Sequence, residues 1–270
     1  MAGLTRYLRL LGSFARFSLA NELAFRGNFL MKVLVELLWL FILLVFYDTI
    51  FRNTENVAGW DSHQYLFFVG CYYTLEGLIE TLFLENCTEF GDLVRSGNLD
   101  QYLLKPIDEQ FLITCRKFDW STAPKILLGG VVMGYASAGM GWNFSAWQVL
   151  AFLILFVCGT ALAYSFLLLL TSTAVWLVRN QSLMEMWWLL TTLMRYPRQI
   201  YKGTWAGPLG MFFWYLVPIL LVINVPVSAI VTAFFDPWSI GLLVVAMVVM
   251  LYLSRRYFLY ALRSYRSASS

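Results

Sequence analysis

Charge is what this sequence has least of. Only 13% of its 270 residues are Asp, Glu, Lys or Arg, where a soluble domain carries about a quarter. Histidine occurs once, as His63, so no second imidazole is present to build a metal site, and none is expected. The four cysteines, Cys71, Cys87, Cys115 and Cys158, have no metal-ligand spacing and read as free thiols rather than a disulfide framework. No GxxxxGK[ST] run is present, so the chain is not expected to cradle ATP phosphates. No GxSxG, HExxH or Cys/His nucleophile pair marks an enzyme. A cleavable signal peptide is not expected either. Residues 1–32 hold five cations, Arg6, Arg9, Arg16, Arg26 and Lys32, with no apolar stretch leading to a small-residue cleavage site.

Apolar runs fill the space that charge leaves. The chain is 60% hydrophobic and 18% aromatic, with a mean hydropathy of +0.68. About 20 apolar residues cross the hydrocarbon core as a helix, and the alternation of a membrane barrel is absent. The sequence predicts an all-α integral membrane protein with six spans, at 33–50, 65–84, 122–140, 146–178, 208–225 and 238–254. Residues 183–194 (LMEMWWLLTTLM) are too short to span and are expected to lie as an interfacial or re-entrant helix with both ends inside, within an inner segment 179–207. Both termini are expected in the cytoplasm. All of the 19 cations but Arg52 then fall on the inner side, including Arg179, Arg195, Arg198 and Lys202 and those of the 255–270 tail. These cations are scattered along inner edges, so no nucleic-acid partner is expected. Residues 1–32 are expected to lie on the inner surface as an amphipathic helix, with Leu4, Leu8, Leu11, Ala15, Leu19 and Leu23 as its apolar stripe.

Polar residues inside apolar runs are costly and mark function or pairing. Glu76 and Glu80 stand four apart on one face of the second span; either they line a wet translocation path or they pair across the bundle, with Lys125 as candidate partner. Glu36 reads as an interfacial residue beside Lys32. Gly130, Gly134 and Ala138 form a small-xxx-small series, read as packing within the chain in preference to contact with a second subunit. Pro218, Asn224 and Pro226 interrupt the fifth span, so that residues 226–235 are either a shallow return near the outer face or part of a plain kinked helix. The tryptophans and tyrosines at 39, 47, 60, 72, 73, 142, 147, 187, 188 and 238 read mostly as interfacial belts.

The break at 87–120 is the longest polar segment. A short helix fits near Glu89 to Val94, Gly97 permits a turn, and Leu99, Leu103 and Leu104 form an apolar edge between Asp100 and Lys105 before Pro106 stops it. Such an element suits docking into a groove of another protein, and equally suits a lipid-facing connector.

The run RSGNLDQYLLKP resembles the R-x-G-x-L-D-x-x-L-L-K-P segment of permeases in a poorly characterised branch of type-two (ABC-2 class) ATP-binding-cassette exporters. RYPRQIY, the following apolar span ending in INVP, and the tail LRSYRSASS resemble that family's inner loop, fifth span and C-terminus. The resemblance implies a half-transporter. A second permease subunit, alike or related, would join it, and two separate cytoplasmic ATPase subunits would hold ATP and Mg. It also implies that 87–120 is a coupling loop, with Glu89, Asp92, Arg95, Gly97, Leu99, Asp100, Leu103, Leu104, Lys105 and Pro106 at the ATPase contact, and that residues 1–32 are the connector helix. An amphiphilic, lipid-like or drug-like cargo moved outward across a bacterial-type inner membrane is the expectation that follows. The alternatives are a stand-alone secondary transporter or channel working through Glu76 and Glu80, and an integral membrane enzyme.

Overall fold

The structure is a computed structural model describing residues 2–57, 59–141, 144–177, 181–201, 203–231 and 236–265. The expected inner cations Arg179, Lys202 and Arg266, the belt residue Trp142 and part of 226–235 lie outside the described residues. Helices α1 (Ala2–Ala24) and α2 (Arg26–Asn53) lead into α3, Ser62–Ser96, which contains a π-helical turn at Glu80–Leu84. Two short helices follow, α4 (Leu99–Leu103) and α5 (Glu109–Cys115). Then come α6 (Pro124–Gly139), α7 (Ala146–Thr173) and α8 (Gln181–Met194). A 3₁₀ turn at Arg198–Tyr201 precedes α9 (Gly207–Leu216), α10 (Leu221–Val231) and α11 (Pro237–Ser264).

Local chemistry sets the helix ends. Asp61 and Gln64 close a reciprocal capping box at the start of α3, and Ser145 and Gln148 do the same for α7. The Asp236 carboxylate caps α11 before Pro237. It is held below its ordinary range by the Ser239 hydroxyl first and by backbone amides, with Arg198 adding attraction. At the other end of α3, Gly97 takes φ +73°, a left-handed conformation that stops the helix and frees the chain to turn into α4.

Helices α3, α7 and α11 run parallel. Phe67 meets Phe152 near their capped ends, and Phe90, Leu168 and Phe258 share a buried cluster near the opposite ends. One pole of the bundle therefore carries the caps, and the other carries the 97–120 loop. The antiparallel α6 crosses α3 almost backbone to backbone. A Cβ on Gly129 would stand 2.3 Å from Thr74 Oγ1 and 2.7 Å from the Gly70 carbonyl. Among the described residues, four helices, at Arg26–Asn53, Ser62–Ser96, Ala146–Thr173 and Pro237–Ser264, are long and apolar enough to cross a membrane; the bent pair Gly207–Leu216 and Leu221–Val231 makes a fifth if counted as one span. Burial differs sharply among them. The apolar window of α3 is 78% buried and that of α2 only 6%, so α3 is the axis and α2 stands at the periphery.

Several expectations are revised. Residues 183–194 belong to α8, which runs along the wall of a cavity. Trp188, in α8, borders a hollow with Lys32 and Glu85 near the loop pole, while Arg195 and Tyr196 sit beside Tyr72 and Tyr47 further toward the cap pole. Arg198 lies 3.8 Å over the Trp214 ring and close to Asp236. Aromatic faces take up both arginines, which a count of positive charge treats as solvated. The expected fifth span, 208–225, is broken into two helical arms, α9 and α10, which bend by 96° at a break containing Pro218, which has no N–H to continue the helix. The Val222 carbonyl packs against Gly159 midway along α7, and the second arm ends five residues before the Asp236 cap.

Gly130 and Gly134 do not pack within the chain. Nothing lies within 4 Å of a Cβ at either, and Ala138 is exposed; the packing glycine is the neighbouring Gly129. In α1, Leu8 and Leu23 of the expected stripe are exposed, while Leu11, Ala15 and Leu19 are partly buried and Tyr7, Phe14, Ser18 and Glu22 also turn to the protein. Tyr47, Trp60, Tyr72, Tyr73 and Trp187 are core residues rather than belt residues. The close α3–α6 crossing makes a direct prediction. Gly129→Ala should destabilise the solubilised chain by roughly 1–3 kcal/mol through overpacking. Gly130→Ala should leave its melting temperature unchanged or slightly higher, as read by thermal unfolding in detergent.

Candidate functional site

Three helices contribute carboxylates or an ammonium to one point. Lys125 enters from the first turn of α6, just after Pro124, and its Nζ lies 2.6 Å from Glu80, 3.2 Å from Glu36 and 3.7 Å from Glu76. Glu76 also accepts a 2.7 Å hydrogen bond from the Tyr72 hydroxyl. Glu36 therefore does not snorkel beside Lys32, which pairs with Asp119 at 3.6 Å instead. The π-helical turn begins at Glu80, and such turns concentrate at functional sites because they re-aim one side chain. The cluster lines a cavity of about 630 Å³ bounded by α2, α3, α6 and α8, with Trp39, Tyr73 and Trp188 among its walls. Asn224 does not border it. Its Oδ1 accepts the Arg198 amide at 2.7 Å and its Nδ2 donates to the Leu220 carbonyl, so it clamps α10 to the 3₁₀ turn.

The loop pole holds a second candidate surface. Leu99, expected to face a partner, is completely buried with Phe90, Ile113 and Phe258, and Leu103 packs on the same cluster. Glu89 is tied to Arg116 and Lys117 inside the loop and is a brace rather than a contact. Asp92 and Arg95 pair with each other on the exposed face. Asp100 is half-buried; Lys105 and Pro106 are exposed, and Leu104 is 85% exposed, an isolated leucine at the tip. Beneath it, Tyr102 lies between Lys105 and Arg116, at 4.8 and 5.0 Å from its ring.

The loop is held from two sides by residues the sequence did not single out. From α1, Ser18 accepts the Phe118 amide, Glu22 accepts the Trp120 amide at 2.8 Å, and Tyr7 accepts the Asp108 amide while meeting Phe111 edge-on. From the far end of α11, Arg255 donates to Asp108 and, at 3.1 Å, to Gln110. These partners are about 100 and 147 residues apart in sequence, and no local pattern links them.

One ammonium serving two buried carboxylates and a third that is partly buried makes Lys125 the costly residue to lose. Lys125→Met should destabilise the chain by roughly 3–5 kcal/mol, because it strands buried charge. Glu36→Gln, on the peripheral helix, should cost far less. Denaturation of the two variants in the same detergent checks the order.

The sequence of the chain matches the family model described as ABC-2 family transporter protein over residues 37–269. Comparisons with curated proteins and with solved structures return no match. The match takes in α3 with its carboxylates, the whole 97–120 loop and α11 with Arg255. The chain belongs to the ABC-2 family of transporter proteins, and is a multi-pass membrane protein of the permease type.

Proposed function

We propose that this chain is the membrane-spanning permease half of an ATP-driven exporter, working with a cytoplasmic ATPase dimer and a second permease subunit in a bacterial-type inner membrane. ATP and Mg would reside in the ATPase, since this chain carries no phosphate-binding loop. The observation that carries the reading is the Leu104 tip: an exposed apolar side chain mounted on a loop that the Glu89–Arg116 pair braces and that α1 and α11 both grip. A rigid knob of this kind transmits force. Closure of an ATPase pressed on Leu104, Lys105 and Pro106 would displace α3, which continues without interruption from Ser62 to Gly97 and carries Glu76 and Glu80 on its length.

In this reading the six traverses are α2, α3, α6, α7, α8 with its 3₁₀ turn, and α11, with both termini inside. Helix α8 is about 21 Å long at 1.5 Å per residue, and the 3₁₀ turn supplies the remaining depth. The bent α9–α10 pair would enter and leave from the outer side. The cavity beside α2 is the proposed path of an amphiphilic or lipid-like cargo. A stand-alone transporter would need Glu76 and Glu80 free to load and release protons, whereas both converge on Lys125.

Leu104→Asp should leave the fold intact, within about 0.5 kcal/mol for an exposed site. It should lower ATPase activity of the assembled complex by about tenfold or more, as loss of an interface anchor does. Leu99→Asp should abolish folded yield. Co-purification with a Walker-motif ATPase subunit and phosphate release by the complex are the measurements. Capture and turnover that survive Leu104→Asp intact, or solute movement by the chain alone in liposomes, would sink the reading.

A further inference from the structure

The cavity bounded by α2, α3, α6 and α8 carries information about the charge of the cargo, an inference that rests on the permease reading. In the half nearest the loop pole, three carboxylates face one ammonium, since Glu36, Glu76 and Glu80 all turn to Lys125. Arg195 is the lining's other cation. It lies over the Tyr72 ring, 5.3 Å from its centre, further toward the cap pole. Among the described residues the lining thus holds three acids against two bases. Carboxylates this far from water require opposite charge close by, and one ammonium cannot balance three.

The walls are built for cations. Seven aromatic rings, those of Phe46 and of the tryptophans and tyrosines at 39, 47, 72, 73, 188 and 196, line the cavity among aliphatic side chains. Aromatic faces attract ammonium and guanidinium groups through the ring quadrupole. This cavity already uses that attraction twice on its own side chains, Lys125 over Tyr73 at 5.6 Å and Arg195 over Tyr72. An anionic group brought to the same floor would meet three carboxylates. A cavity of about 630 Å³ accepts a headgroup with part of an apolar body. Trp39 and Trp188 remain 62% and 46% exposed, which sets the rim on the side where α2 turns its apolar residues outward.

We propose that the cavity recognises the cationic headgroup of an amphiphilic cargo, a quaternary or protonated amine on an apolar or aromatic body, whose charge the excess carboxylates balance. Tetraphenylphosphonium and tetraphenylborate, nearly the same shape with opposite charge, provide the probe pair. Binding of each is read by quenching of tryptophan fluorescence, on the full chain in phosphatidylcholine nanodiscs. The preference for the cation is compared between the native chain and Glu36→Gln/Glu80→Gln in identical nanodiscs, so that partition into lipid cancels.

The native preference should exceed that of the double variant by about tenfold, the scale of a desolvated cation–π and ion-pair contact. Glu36→Gln alone, on the peripheral helix, should lose about threefold and serves if the double variant does not fold. An equal preference in native and variant chains, or binding of tetraphenylborate alone, overturns the proposal. The permease reading is tested separately by capture of the ATPase subunit. Cation-selective quenching without capture would overturn that reading and uphold this one, and capture without charge preference would do the reverse.

Discussion

The ammonium of Lys125 is the one group on which the arrangement of α2, α3 and α6 depends. Helix α2 buries almost none of its apolar surface, so packing alone does little to hold it. What fixes its height against the bundle is polar: Glu36 reaching Lys125, and the Tyr73 hydroxyl donating to the Glu36 carbonyl at 2.8 Å. Hydrocarbon offers no hydrophobic drive between helices, so such contacts and close backbone approach decide the packing there. The same ammonium closes the floor of the cavity. Structure and site therefore share a residue.

Close approach supplies the other half of the constraint. Gly70, Gly77 and Gly129 let the backbones of α6 and α3 approach closely, and Gly77 leaves its Cβ position filled by Lys125. Lys125 is thus pinned along the α3 face before its amine pairs with anything. Glu80 begins the π-helical turn one step further along, where an extra residue per turn re-aims the side chains that follow. A regular helix through Glu80–Leu84 would rotate Glu85 and Glu89 by about 100° relative to Glu76. Glu89 would then leave Arg116, and the loop would lose its brace.

Composition and periodicity made the membrane class, α3, α7 and α11 legible, because long apolar runs and their capping residues are local signals. The approach of Glu76 and Glu80 to Lys125 was legible too, since few polar groups sit at that depth and each needs a partner. The setting of α8 against the cavity and the bend between α9 and α10 were not. A count of positive charge treats Arg195 and Arg198 as solvated, and only the fold shows Tyr72 and Trp214 beneath them. The small-xxx-small series misled by one residue: Gly129 faces α3 and Gly130 faces away, a rotation of about 100° that a spacing motif does not encode. Leu99 and Leu104 read alike as an apolar edge, yet a five-residue helix turns one into the core and leaves the other outside.

The division between Leu99 and Leu104 bears on how the molecule transmits movement. A leucine that both touched a partner and filled the core would yield under load by repacking. Here the two tasks are separate: Leu104 meets the outside, and Leu99 locks α4 onto Phe90 of α3 and Phe258 of α11. Arg255 repeats that linkage in polar form, from α11 to Asp108 and Gln110. A displacement of the tip is therefore shared at once by α3 and α11, while α1 rides on the loop through Ser18 and Glu22. The gap between α2 and α8 lies outside this rigid set, bounded by the helix with the least buried surface. Strain applied at the loop pole would thus meet a soft boundary at the wall of the cavity, where α2 is the least buried of the membrane-capable helices.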